Sequence, residues 1–215
     1  MAAAARGKAK KAAKQAKAEL YRQLILEAAR TVFAEKGYDD AKIGEIAEGS
    51  GVSLQTLYSV FPGKGAIYEA VQTEGDEALH HLAIEQSQGL SDPLEAMLAG
   101  LRATTLYFLE QPEFLRLRLH GGLTWGTEAM ARGARSQTEA WRQALERLRA
   151  ACERCIEEGV LVARDPQLIS RTIVSMQQVE LAHWLEGGMV TDTVEVADAL
   201  EAQVKRAFCV DAAAS

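Results

Sequence analysis

Cys152 and Cys155 stand at the Cys-x-x-Cys spacing that serves disulfide exchange or half of a zinc site. No second such pair completes a metal set, and Cys209 lies far away along the chain. The pair falls on a helical pattern, which makes two buried helix residues the expectation. His80 and His81 are adjacent, so their side chains point in different directions and make a poor shared site. Glu180 and His183 lie three apart on one helix face. They suit either a polar ligand atom or a hydrogen-bonded pair at a subunit contact. Gly63-Lys64-Gly65 lacks the spacing of a phosphate-binding loop, and no serine sits in a nucleophile elbow with His and Asp partners. The residues therefore predict no catalytic set, no metal and no cofactor. An all-α enzyme or carrier stays as the outlying alternative.

The surrounding elements read as helices. Of the 215 residues, 48% are apolar, 25% charged, 6% aromatic and 4 are proline, with no convincing alternating strand. No uncharged apolar run approaches the roughly 20 residues of a membrane span. Three cysteines form no closed disulfide framework, which points to a reducing, cytoplasmic setting. Leu20, Leu24, Ala28 and Val32 recur every four residues from Glu19 to Lys36, where Gly37 suits a left-handed cap. Further helices are expected over 63–88, from Ser91-Asp92-Pro93 to Gln111-Pro112, over 113–119, and over 127–158 up to Gly159. Two more run from Asp165-Pro166 to Glu186 and from Thr191–Thr193 to Phe208. Gly121, Gly122 and Gly126 mark a loop.

Residues 43–62, IGEIAEGSGVSLQTLYSVFP, fit two short helices joined by a tight turn. Ala47 falls where only a small side chain fits, and Gly51 falls in the turn. Ile46, Val52, Leu57 and Val60 take inner positions, and Ser53 stands at the N-cap of the second helix. Charge agrees with a nucleic-acid contact at this end. The net charge is −6, yet residues 1–65 hold 11 Lys and Arg against 7 Asp and Glu. A basic head thus precedes an acidic body.

The run from Gln23 through Phe33, Gly37-Tyr38, Ile43, Ile46-Ala47, Gly51-Val52-Ser53, Thr56-Leu57-Tyr58, Phe61 and Lys64 resembles the tetracycline-repressor (TetR) family of transcriptional regulators. The resemblance covers residues 20–71. It implies an all-α protein: a three-helix DNA-binding head and a C-terminal helical body for ligand binding and dimerisation. It places Ser53–Val60 in the major groove of an operator, with Leu54, Gln55 and Thr56 at the exposed N-terminal end. Gln55 can pair with adenine there, and Leu54 or the Thr56 methyl can meet a thymine methyl. Tyr58 and Lys64 match the family's phosphate-contacting positions. The sequence departs from the family at Ala41-Lys42, where hydroxyl residues are usual. Asp40 is then the expected cap and Lys42 a further phosphate contact. Val60, Gly49 and Gly65 also depart from the pattern.

The expected organisation is a flexible basic arm over 1–18, a DNA-binding domain over 19–65 and a helical body over 66–210. Arg6, Lys8, Lys10, Lys11, Lys14 and Lys17 meet no acid before Glu19, so the arm is expected either to follow DNA or to be a solubilising tail. In the body, Met97, Leu101, Thr105, Phe108, Trp141 and Met176 are candidate ligand contacts, with Trp125 in a lid loop. The last two helices are expected to form a four-helix interface with a second copy through Val179, His183, Leu200, Val204 and Phe208. The expected function is a homodimeric DNA-binding regulator, a repressor released by a small, largely apolar ligand. A DNA-binding dimer controlled by a protein partner is the alternative.

Overall fold

The computed structural model describes residues 2–120 and 139–210, with side chains over 10–119 and 139–210. It is helical throughout, and among the described residues the sole strand-like feature is an isolated antiparallel bridge between Leu161 and Cys209. The helices are α1 (Ala2–Asp40), α2 (Ile43–Gly49), α3 (Leu54–Val60), α4 (Lys64–Ser87), α5 (Pro93–Glu110), α6 (Pro112–His120), α7 (Glu139–Glu157), α8 (Pro166–Glu186) and α9 (Thr193–Phe208). The chain divides into two compact units, Met1–Gln72 and Thr73–Ser215, so α4 has residues in both.

The helix ends follow local chemistry. Asp92, Asp165 and Asp192 cap α5, α8 and α9, each accepting backbone N–H bonds from the first turn. Pro93 and Pro166 occupy first helical positions, where a missing N–H costs nothing. Gly159 ends α7 at φ 71°, a left-handed conformation that favours glycine. Two expectations change here. The segment read as a flexible arm continues α1 instead, because its Ala, Lys and Gln residues are good helix formers joined to an existing helix. The helix regularity breaks at Gly37, whose φ of 70° turns the chain toward α2. Asp40 does not cap α2. Lys42 is the N-cap, and its backbone N–H donates to Glu45 Oε2 at 3.3 Å.

In the first unit, one stripe of α1 (Ile25, Leu26, Ala29, Phe33) packs with Ile46, Ala47 and Leu57. In the second, α5, α7, α8 and α9 share a core. Met97, Leu101, Cys152, Ile173, Leu200 and Val204 meet there. The Leu161–Cys209 bridge ties the turn after α7 to the end of α9, with Val162 N donating to Phe208 O at 2.8 Å. Glu139 is the first residue of α7, and the expected helical residues 127–138 lie outside the described part of the chain, as does the Gly121–Gly126 loop.

Candidate DNA-binding face and internal cavity

The turn between α2 and α3 is built as the residue pattern predicts. Gly51 adopts φ 67°, and Ser50 Oγ, Ser50 N and Val52 N donate to carbonyls of the last turn of α2. Ala47 is buried at the crossing, and a Cβ on Gly49 would meet Ala28 Cβ at 3.3 Å, so glycine lets α2 approach α1 closely. Ser53 caps α3, its Oγ accepting from Thr56 N at 3.1 Å and sharing a 2.9 Å hydrogen bond with Thr56 Oγ1. Leu57 alone of α3 is fully buried. Leu54, Gln55 and Tyr58 are exposed, with Leu54 47% and Tyr58 53% open to solvent.

Lys64 stands at the start of α4, as expected, and its ammonium turns to the protein backbone. Its Nζ donates to the carbonyls of Tyr38, Asp39 and Ala41 at 2.7, 3.1 and 2.8 Å, and sits 4.6 Å from the Tyr38 ring centre. An ammonium has three N–H donors, and all three are used. Lys64 thus satisfies the orphan carbonyls where α1 ends and pins the start of α4 to them. It has no proton left for a phosphate. The Phe33, Tyr38 and Tyr68 rings cluster beside it with centroids 4.9–6.0 Å apart, Phe33 and Tyr38 stacked and Tyr68 edge-on to both. Lys42, by contrast, is exposed and caps α2 through its backbone N–H and carbonyl, with no side-chain hydrogen bond in the cap. The neighbouring Glu45 carboxyl is held below its ordinary pKa by the hydrogen bond from Lys36.

The second unit contains a cavity of about 420 Å³. Met97, Leu101, Phe108 and Trp141 of the expected contacts line it. Met176 does not, and packs against the core instead. Thr105 is fully buried behind the wall. Its hydroxyl donates to Leu101 O at 2.7 Å and accepts from Gln177 Nε2 at 2.9 Å. Gln177 also donates to Thr104 Oγ1 at 3.1 Å, so Gln177 and Thr104 form a polar spot on an apolar wall. Asp76, also on the wall and completely buried, pairs with Arg118 Nη1 at 3.2 Å. Trp125 lies outside the described residues. Sequence reasoning passed over Asp76 and Arg118, which stand 42 positions apart and carry no spacing signal.

Three of the expected interface residues are not on the surface. Leu200, Val204 and Phe208 are 1%, 0% and 5% exposed, within the core of their own protomer. The apolar stripe of α9 closes this core against α5 and α8, which leaves it nothing to offer a second copy. Val179 is 67% exposed and His183 is exposed beside it on α8. Glu180 accepts from Gln203 Nε2 at 3.0 Å. Cys152 and Cys155 are core thiols, their pKa values pushed up by burial to about 12 and about 11. Cys152 Sγ lies 3.7 Å from Met97 Sδ. Among the described residues no group of His, Cys, Asp and Glu is placed to hold a metal ion, and no helix is long and apolar enough to cross a membrane.

Comparison with known proteins follows this geometry. Residues 25–71 match the family profile described as bacterial regulatory proteins, tetR family. A Mycobacterium tuberculosis protein named as the mycofactocin biosynthesis transcriptional regulator MftR is 25% identical over 174 residues, 79% of this chain and 82% of that protein. The TetR-family regulator PfmR of Thermus thermophilus is 29% identical, with a TM-score of 0.68 over 85% of this chain and 97% of its own. The regulator FadR of Bacillus subtilis, solved in complex with stearoyl-CoA, shares the fold at 18% identity, with a TM-score of 0.68 over 85% of this chain and 96% of its own. The helix-turn-helix of the first unit thus lies within the matched profile and the whole chain shares the fold of these regulators, and the chain belongs to the tetR family of bacterial regulatory proteins.

Proposed function

We propose that this protein is a cytoplasmic homodimeric repressor that binds a near-palindromic operator through α3 and leaves it when a small, largely apolar ligand fills the cavity. The observation that carries the DNA contact is the exposed N-terminal end of α3, with Leu54 and Gln55 free to meet base edges, Thr56 beside them, and Tyr58 and Lys42 free to meet phosphates. The cavity, with its apolar walls and few polar groups, supports the ligand. The stearoyl-CoA held by the Bacillus subtilis neighbour supports the same use of the second unit.

The control step rests on α4, which has residues in both units and lines the cavity through Leu79 and Ala83. A ligand that prefers a shifted α4 by about 1–3 kcal/mol weakens operator binding roughly five- to 150-fold. Operator DNA must then weaken ligand binding by the same factor. Selection of bound DNA from a random pool should return a palindrome with half-sites about one helical turn apart. Titrating the recovered operator with and without ligand should show the reciprocal loss. Equal affinities would leave a DNA-binding dimer under other control.

A further inference from the structure

Among the described residues, Gln177 is the only uncharged polar side chain buried on the cavity wall, 6% exposed. Its amide is held in one orientation. Thr105 Oγ1 gives its single proton to Leu101 O at 2.7 Å, and Thr104 Oγ1 gives its own to the same carbonyl at 2.9 Å. Each hydroxyl then has only lone pairs to offer. They take the Nε2 protons of Gln177 at 2.9 and 3.1 Å. A turned amide would set Oε1 against these two oxygens unless both threonines gave up their bonds to α5. Oε1 is therefore fixed as an acceptor, and nothing among the described residues donates to it. It is not sealed by packing either. The neighbouring Gln178 Nε2 is wholly enclosed without a partner, and Gln177 Oε1 is not. Gln177 borders the cavity, so the oxygen faces it.

The rest of the buried wall supplies no donor. Met97, Leu101, Phe108 and Val174 are apolar, and Asp76 is a carboxylate paired with Arg118. The buried part of the cavity thus presents hydrocarbon and oxygen lone pairs. An acceptor left dry in such a place costs free energy that a donor recovers. A carboxylate, a ketone or a bare alkyl chain has no proton to give. A hydroxyl or an N–H group has.

We infer that the ligand is a neutral, largely apolar molecule with a hydroxyl or N–H donor, and that Gln177 Oε1 accepts from that donor. Thr104 and Thr105 are positioning residues that aim the amide. The inference rests on the proposal that the cavity is the effector site, and it names the chemistry recognised there.

Equilibrium dialysis of the full chain tests this with probes on one skeleton: undecane, undecan-2-one, decan-1-ol, decanamide and decanoate. Decan-1-ol puts a hydroxyl in place of a terminal methyl of undecane. Decanamide puts NH2 in place of the methyl beside the ketone carbonyl. Dividing each neutral probe's affinity by its hexadecane–water partition coefficient removes the cost of leaving water. On that scale at least one donor probe should exceed its donor-free match by about tenfold or more, and the better one tells a hydroxyl ligand from an N–H ligand. Decanoate should bind more weakly than decan-1-ol by direct comparison. In Gln177→Leu the donor excess should vanish, while undecane affinity stays unchanged and so reports an intact cavity. Thr104→Val/Thr105→Val frees the amide to turn its N–H groups toward the cavity, so undecan-2-one should gain affinity and the donor excess should shrink. This variant decides the matter if Gln177→Leu does not fold. Equal scaled affinities across the neutral probes, tighter binding of decanoate, or no binding of either donor probe would each overturn the inference. So would a donor excess that survives Gln177→Leu, or a ketone that gains nothing in the threonine variant. Operator release is read separately. Donor probes that bind as described but leave the DNA bound would overturn the repressor proposal alone. Release by undecan-2-one or decanoate, with no donor preference, would overturn only the ligand class.

Discussion

Lys64 and Gln55 illustrate how two exposed-looking polar residues can have opposite roles. Gln55 is exposed at the start of α3 and nothing in its own unit depends on it. Gln55→Ala should therefore leave the melting temperature unchanged and reduce discrimination at one base position by about 1–3 kcal/mol, measured by competition between operator variants. Lys64 closes three backbone carbonyls. Lys64→Ala leaves them without donors and should destabilise the first unit by about 1–3 kcal/mol in a denaturant titration. The salt dependence of operator binding should keep its slope, because the Lys64 ammonium neutralises no phosphate. A slope reduced by one charge, with stability intact, would return Lys64 to the DNA. The sequence could not separate these cases. The matching of Lys64 to a phosphate-contacting position came from the family resemblance, whereas its partners lie 23–26 residues upstream at a helix end.

Most helix boundaries were legible at the scale of elements, because they are set by neighbours in sequence. Asp-Pro pairs start α5 and α8, and glycine breaks α1 near its end and closes α7. Burial direction was less legible. Leu200, Val204 and Phe208 make an apolar stripe whether they face their own core or a second copy. A lone glycine inside α4 carried no signal at all. Gly75 is a notch: a Cβ there would overlap the Phe114 ring of α6. Phe114 cannot retreat freely, since it stacks on Phe108 at 5.7 Å and lies 5.9 Å from the Arg118 guanidinium. Gly75→Ala adds up to about 1 kcal/mol of helix propensity. The overpacking should cost about 1–3 kcal/mol and prevail. A double-mutant cycle with Phe114→Ala, read by thermal unfolding, should show the two changes cost less together than in sum. Additive costs would mean that Phe114 does not fill the notch. The basic stretch of α1 makes a separate prediction. Residues 10–20 are exposed along the helix and carry Lys10, Lys11, Lys14 and Lys17. Deleting residues 2–17 should weaken operator binding steeply at low salt and little at high salt, the slope falling by about 0.9 for each phosphate the stretch neutralises. Base preference should not change. Parallel salt lines would identify the stretch as a solubilising tail.

At the scale of the whole molecule, a basic first unit and an acidic remainder limit nucleic-acid contact to one end, and a palindromic operator requires two such ends. The second copy needs an exposed apolar surface. We expect that surface on α8, where Leu168, Ser175, Val179 and His183 lie at intervals of seven, four and four residues, and all are exposed. Leu168 is 47% and Val179 67% exposed, so this face has apolar area to offer a mate. Val204 is 0% exposed and packs with Leu200 and Phe208 in the core. The two valines therefore separate association from folding. Val179→Arg places a charge on the surface that a twofold mate must cover. It should give a folded monomer by sedimentation equilibrium, with an unchanged helical spectrum and operator affinity reduced in proportion to dimer. Val204→Arg buries an unpaired charge and should unfold or precipitate the chain, by several kcal/mol. If Val179→Arg remained a dimer at micromolar concentration, the α8 face would be excluded as the interface. A soluble, folded Val204→Arg monomer would instead place α9 between subunits.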